Sequence, residues 1–266
     1  MTWQLIGGNA LSVLAIMAGV WLASVRLRDA SIVDPWWSIL FLAVTARTVL
    51  ATGIDARKAV LVALVAAWAL RLFAHLALRS RGKPEDPRYA AFRARFGAAR
   101  YWWVSFFQVF VLQGALALVI SAPLQYAASR PVGEPFHGLD ALGLVLFVAG
   151  FACETSADVQ LQRFRNDPSM RGKVLDTGLF AWSRHPNYFG DAVLWWGFGC
   201  FAASSLVGAA TLLGPALMTY LLVRVSGVTM LDAYLTKTRP GYAEYIARTP
   251  AFIPRRPTSS DRTGSR

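Results

Sequence analysis

Charge is scarce in this sequence. Only 16% of its 266 residues are Asp, Glu, Lys or Arg, against roughly 25% in ordinary soluble domains. With 55% hydrophobic residues and a mean hydropathy of +0.41, that deficit excludes a disordered chain and most soluble enzymes. The two cysteines, Cys153 and Cys200, both sit in apolar runs without metal-ligand spacing. They exclude a disulfide-dense module, imply no metal site, and read as small core residues. No residue among the first 25 is charged, so the basic start of a secretory signal is missing and the first segment reads as a permanent span. The sequence also lacks an internal repeat, which argues against an inverted-repeat transporter, and a basic stripe, which argues against nucleic acid. No long polar stretch could house a second domain. One integral domain is expected over residues 1–256, followed by a Ser-, Thr-, Arg- and Gly-rich disordered tail at 257–266.

What is present is a series of apolar segments, each close to the roughly 20 residues that cross a bilayer. They fall near 4–24, 32–51, 59–78, 102–122, 139–158, 187–204 and 206–230. The uncharged run from Ala192 to Val223 holds 32 residues, too many for one upright span, and Ser204-Ser205 offers a break. The expectation is an all-α membrane bundle of about seven helices, with six as the alternative. Net charge is +12, and its placement gives an orientation. With the N-terminus outside and the C-terminus cytoplasmic, the inner loops and tail collect 22 Lys and Arg. The outer loops keep three, Arg57, Lys58 and Arg130.

Ionisable groups inside spans are costly, so Asp34, Arg47, Arg71, His75, Glu154, Asp158 and Asp191 each require a partner or a purpose. Glu154, Asp158, Gln162 and Arg165 follow at helical spacing and would share one face of the fifth span. That face is either a helix end reaching for headgroups or the polar wall of a pocket. The run Ser183-Arg184-His185-Pro186-Asn187-Tyr188-Phe189-Gly190-Asp191 precedes a Trp-rich apolar stretch. Pro186 is suited to a first helical turn, and the amides beyond it, beside Arg184 and His185, would attract phosphate. An interfacial anchor is the plainer alternative. In Arg81-Gly82-Lys83, glycine lets the backbone approach an anion that two cations flank, although an ordinary basic loop has the same composition.

Several of these motifs together resemble the steroid 5-alpha-reductase superfamily, in particular its bacterial branch, the DUF1295 family. They are Asp158-Val-Gln-Leu-Gln-Arg-Phe-Arg165, Gly178-Leu-Phe, Arg184-His-Pro-Asn-Tyr-Phe-Gly-Asp191, Tyr242-Ala-Glu-Tyr245 and Phe252-Ile-Pro254. The superfamily also includes isoprenylcysteine carboxyl methyltransferases. The resemblance implies a multi-pass helical enzyme of lipid metabolism, in the bacterial inner membrane, whose NADPH enters from the cytosolic side. Carried over, Asp158, Arg165, Asn187 and Asp191 would line the NADPH site, and Ser80-Arg81-Gly82-Lys83-Pro84 would bring Arg81 and Lys83 to its phosphates. Arg171 and Lys173 are further candidates, as are Arg184, His185, Tyr188 and Tyr245 within the shared motifs.

The sequence departs from the reductases where they polarise their substrate. Their early Gln-Glu pair is replaced by Ser31-Ile-Val-Asp34-Pro-Trp36-Trp37, and the helix before the basic loop offers Trp68, Arg71 and His75 but no Tyr. Asp34 then becomes the candidate proton donor, unless it pairs with Arg71, and His75 is the alternative. The leading function is NADPH-dependent reduction of a carbon-carbon double bond in a lipophilic substrate. The rivals are an S-adenosylmethionine-dependent methyltransferase, which would usually carry two adjacent acids where this chain has Leu231-Asp232, and a non-catalytic lipid or sterol binder.

Overall fold

The computed structural model describes residues 2–225 and 227–256, and every regular element among them is helical. The expected tail at 257–266 lies outside the described residues. In chain order the α-helices are α1 Trp3–Leu27, α2 Val33–Thr52, α3 Ala56–Ser80, α4 Pro87–Phe96, α5 Ala98–Ser105, α6 Leu112–Ile120, α7 Ala122–Ala128, α8 Gly138–Asn166, α9 Pro186–Cys200, α10 Leu206–Ala210, α11 Leu213–Tyr220, α12 Val228–Thr238 and α13 Tyr242–Arg248.

Six helical stretches are long and apolar enough to cross a membrane: Trp3–Leu27, Ala30–Thr52, Ala56–Ser80, Ala98–Ile120, Gly138–Asn166 and Leu206–Thr238. Leu11, Leu50, Leu70, Phe107 and Val145 point outward from them, each more than half exposed. Such a surface fits a lipid bilayer and a multi-pass membrane protein. The segment expected to span at 187–204 differs from the other six. Only the 15 residues of α9 are helical there, about 22 Å of helix, and Ala192, Leu194, Trp195 and Phe198 on it are buried.

The chain forms two compact units. One runs to His137 and includes Phe201–Gly214; the other comprises Gly138–Cys200 and the chain from Pro215. In the first, α2 packs between α1 and α3. Thr2 caps α1 through the Leu5 amide, and Asp55 caps α3 through the Lys58 amide. Polar groups within this unit find one another. Asn9 donates to Thr48 Oγ1 at 3.0 Å and Gln125 Oε1 at 2.9 Å, and Arg47 donates to Asn9 Oδ1 at 3.1 Å. Arg57 and Lys58, read from sequence as loop cations, are buried. Lys58 Nζ donates to Thr52 Oγ1 and the Gly53 carbonyl, while Arg57 donates to the Phe201 carbonyl beside Glu134.

In the second unit α8 and α9 pack backbone to backbone. A Cβ on Gly190 would lie 2.5 Å from Glu154 N and 2.6 Å from the Gly150 carbonyl; one on Gly150 would lie 2.5 Å from both the Gly190 carbonyl and Leu194 N. Backbone on each side cannot swing away, so the close approach requires glycine. Replacing a helical glycine by alanine ordinarily stabilises by about 0.5–1 kcal/mol, whereas overpacking costs about 1–3 kcal/mol. Gly190→Ala should therefore lower the melting temperature in detergent, while Gly7→Ala, whose Cβ would meet nothing within 4 Å, should leave it equal or higher. A Gly190→Ala protein as stable as the parent would refute the close packing.

Candidate functional site

Two polar clusters stand out, one in each unit. The first forms where α4 begins. Asp86 accepts from the Arg88 amide as N-cap, and Pro87 follows in the first turn. That start directs Arg88 and Tyr89 to Asp34, in the first turn of α2. Arg88 Nη2 donates to Asp34 Oδ2 at 2.9 Å, and the Tyr89 hydroxyl donates to Asp34 Oδ1 at 2.6 Å. Gln113 Nε2 donates to the Tyr89 oxygen at 3.2 Å. Gln113 lies just beyond a π-helical turn, Phe106–Val111, a kind of irregularity frequent at functional sites. Asp34 is thus an acceptor, and the proton-bearing group beside it is the buried Tyr89. Burial, and then the Asp34 carboxylate, push the Tyr89 phenol well above its ordinary value.

Sequence reasoning missed Arg88, Tyr89 and Gln113. A signal for the first two existed in Asp86-Pro87, a helix start that places the next two side chains on its first turn. His75 is half-buried on α3. In the basic loop, Lys83 N bonds the Ser80 carbonyl at 3.0 Å, Gly82 takes φ +72°, and Arg81 and Lys83 are exposed.

The second cluster centres on Asp232 of α12. Arg184 Nη2 lies 2.7 Å from its Oδ2, His185 Nε2 lies 2.9 Å from its Oδ1, and the Tyr242 hydroxyl donates to Oδ1 at 2.6 Å. Arg184 also donates from Nη1 to the Thr249 carbonyl at 2.5 Å and the Ile246 carbonyl at 3.2 Å. Its backbone N–H meets the Pro250 carbonyl at 2.9 Å. Ser183 donates to the Phe252 carbonyl at 2.8 Å, and Tyr245 to the Phe180 carbonyl at 2.6 Å. Arg184, His185 and Tyr245, read from sequence as nucleotide contacts, are here occupied in fastening the chain before α9 to residues 232–252. Tyr188 stacks on His185 with ring centroids 5.5 Å apart. Asp232 had drawn notice only for the missing second acid beside it; three donors on one carboxylate appear only once the chain is folded.

Other expected residues converge in this unit. Asn187 Nδ2 donates to Asp158 Oδ1 at 3.1 Å. Asp158, Glu154 and Asp191 are buried, with Glu154 one turn before Asp158 and Asp191 one turn after Asn187. The shared polar face of α8 holds for Glu154 and Asp158. Gln162 and Arg165 are exposed further along, and it is Gln160 that turns inward to accept from the Leu179 amide at 3.0 Å. Arg171 and Lys173 are exposed on the turn after α8.

Over residues 20–249 the sequence matches a family described as "Protein of unknown function (DUF1295)". The chain belongs to that family. An uncharacterized protein of Schizosaccharomyces pombe is 27% identical to this DUF1295 protein, over 89% of its chain and 76% of the relative. A probable O-methyltransferase of Ustilaginoidea virens is 28% identical over 45% of the chain and 41% of the relative. No solved structure matches.

The clusters have a measurable alkaline signature. Tyr242 is pushed up by burial and by its bond to Asp232, and Tyr245 by burial followed by the charge of Asp176. Unfolded tyrosines ionise near pH 10. Above that pH the unfolded chain releases phenolic protons that the folded protein retains, so stability must fall as pH rises. Absorbance titration of the folded protein should find at least three phenols, Tyr89, Tyr242 and Tyr245, still protonated at about pH 11. Tyr242→Phe should lose less stability above pH 10 than the parent; an identical decline in both would contradict the assignment.

Proposed function

We propose that this protein reduces a polarised carbon-carbon double bond in a lipophilic substrate with NADPH. The observation that carries the reading is the hydrogen bond from the buried Tyr89 phenol to the half-buried Asp34 carboxylate at the start of an apolar span. Its support is the resemblance of the C-terminal motifs to the steroid 5-alpha-reductases. NADPH, when bound, supplies hydride. Tyr89 holds its proton near neutral pH and can turn it from Asp34 toward an oxygen gaining negative charge. The phenolate left behind would be stabilised by the Gln113 amide and by Arg88, whose guanidinium lies 5.4 Å from the Tyr89 ring centre. Asp34 keeps the phenol oriented, as third groups do in other proton-transfer sites.

In the second unit, the carboxylates of Asp158 and Asp191 and the amide of Asn187 suit ribose hydroxyls and a carboxamide, and the exposed Arg165 suits a phosphate. The basic loop with Arg81 and Lys83 offers cations of the same kind. Tyr89→Phe should leave nucleotide affinity unchanged and lower turnover by about 10²- to 10⁴-fold, the usual worth of positioned proton transfer. Full activity in that variant would dismiss Tyr89 as the donor.

Methyl transfer is the second reading, favoured by the relative named as a probable O-methyltransferase. Mass spectrometry of small molecules copurified in mild detergent separates the two: a nicotinamide dinucleotide supports reduction, an S-adenosyl compound methyl transfer.

The orientation belongs to the same proposal and requires α9 to complete a seventh crossing beside the six long apolar stretches: the N-terminus lies outside, and both the basic loop and the C-terminal segment are cytoplasmic. Reporter fusions after Arg100 and after Arg256 should both read cytoplasmic. Opposite readings would mean that only the three long stretches Ala98–Ile120, Gly138–Asn166 and Leu206–Thr238 cross between them and that α9 does not.

A further inference from the structure

At one end of α1 the first unit forms a partly open cavity of about 540 Å³, within the range of small-molecule sites. Ser24, Arg28, Glu85, Arg93, Tyr101 and Ser105 supply its polar lining, and Val25 and Trp102 part of its apolar lining. None of these residues has a part in the reaction proposed above.

The charges are unevenly satisfied. Glu85 accepts from Arg93 Nε at 2.9 Å, from Arg93 Nη2 at 2.8 Å and from the Ala30 amide at 2.8 Å. Burial pushes Glu85 up, but the Arg93 and Ala30 bonds outweigh it and hold the carboxyl below its ordinary value. Glu85 and Arg93 therefore cancel. Arg28 lies at the left-handed end of α1 with φ 56°, and its guanidinium has no hydrogen bond or ion pair among the described residues. Tyr101 is 1% exposed, yet its hydroxyl has no hydrogen-bond partner among them either. A buried hydroxyl without a partner is destabilising. α5 begins on this wall at Ala98, with no side-chain cap on its first amides. An exposed cation with no ion pair, a buried hydroxyl with no partner and a helix start with no side-chain cap line the same cavity, and an anion there would meet all three.

The neighbouring surface says which kind. Both α1 and the Ala98–Ile120 stretch are apolar enough to span a membrane, and the cavity lies where the first ends and the second begins. Leu22, Val25, Leu27, Trp102 and Trp103 are exposed beside it, and Trp21 Nε1 donates to the Trp102 carbonyl at 2.7 Å. Indoles at such a boundary suit the interface between headgroups and chains.

We propose that this cavity binds the phosphate-bearing headgroup of a membrane lipid, with Arg28 and Tyr101 answering the phosphate and the acyl chains running along the exposed ends of α1 and α5. The test uses the full-length protein, stripped of lipid in a neutral detergent and then offered phosphatidylglycerol, diacylglycerol with the same chains, or inorganic phosphate. Bound lipid is counted by native mass spectrometry. Phosphatidylglycerol should be retained, and diacylglycerol should not. Arg28→Gln should weaken retention about tenfold or more, the loss of a charge-assisted contact.

Tyr101→Phe separates binding from folding. Removing an unpartnered hydroxyl should leave the lipid-free protein at least as stable as the parent, while lipid retention falls. Equal retention of diacylglycerol, or retention unchanged in both variants, would overturn the proposal. So would inorganic phosphate binding with no preference for the lipid. If the variants instead weaken nucleotide binding and spare the lipid, the cavity belongs to a nucleotide and the lipid assignment fails, whatever the outcome for Tyr89.

Discussion

A charge that leaves water must bring its counter-group with it, and this protein has few charges and much apolar surface. Desolvation is repaid only by close, well-directed partners, so each buried or half-buried ionisable residue acts as a fixed point around which helices are placed. Lys58 ties the start of α3 to the end of α2 through Thr52 and Gly53. Arg47 joins α2 to α1 through Asn9. Asp34 draws in the start of α4, and Asp232 draws together the segment before α9 and the helices α12 and α13. The candidate sites are the places where this pairing leaves groups able to act on something else.

The two polar clusters are built by different means. Around Asp34 the work is local: an Asp cap and a proline fix where α4 starts, and that start determines where Arg88 and Tyr89 point. Around Asp158 and Asn187 the work is done by absence of side chain. Gly150 and Gly190 let α8 and α9 touch along their backbones, which brings short polar side chains within hydrogen-bond reach. Longer side chains at those positions would hold the helices apart, and an Asn and an Asp could not bridge the gap.

In this DUF1295 protein such groups are the Tyr89–Asp34 pair and the Asp232 cluster. Tyr89 keeps its proton and donates a hydrogen bond to the Asp34 carboxylate, the arrangement on which the proposed acid role rests. The Asp232 cluster has the character of a clasp: Arg184 and Ser183 meet backbone carbonyls from residues 246–252, fixing the C-terminal segment against the chain before α9.

The helical, membrane-suited class was legible from sequence because apolar runs near the length of a bilayer crossing admit few other structures. The α8–α9 polar pair was legible too, through Asp158 and Asn187 as members of recognisable motifs. Tyr89 and Asp232 were not. Tyr89 lies 55 residues from Asp34 on a short amphipathic helix, and Asp232 is a single acid in an unremarkable stretch. Periodicity and composition describe a helix one face at a time, and they do not say which faces meet. By itself the sequence determined where helices form, how apolar they are and which residues would be costly to bury. Tertiary structure decided which donor each carboxylate received, because a hydrogen bond of 2.6 Å depends on how two distant helices are brought together.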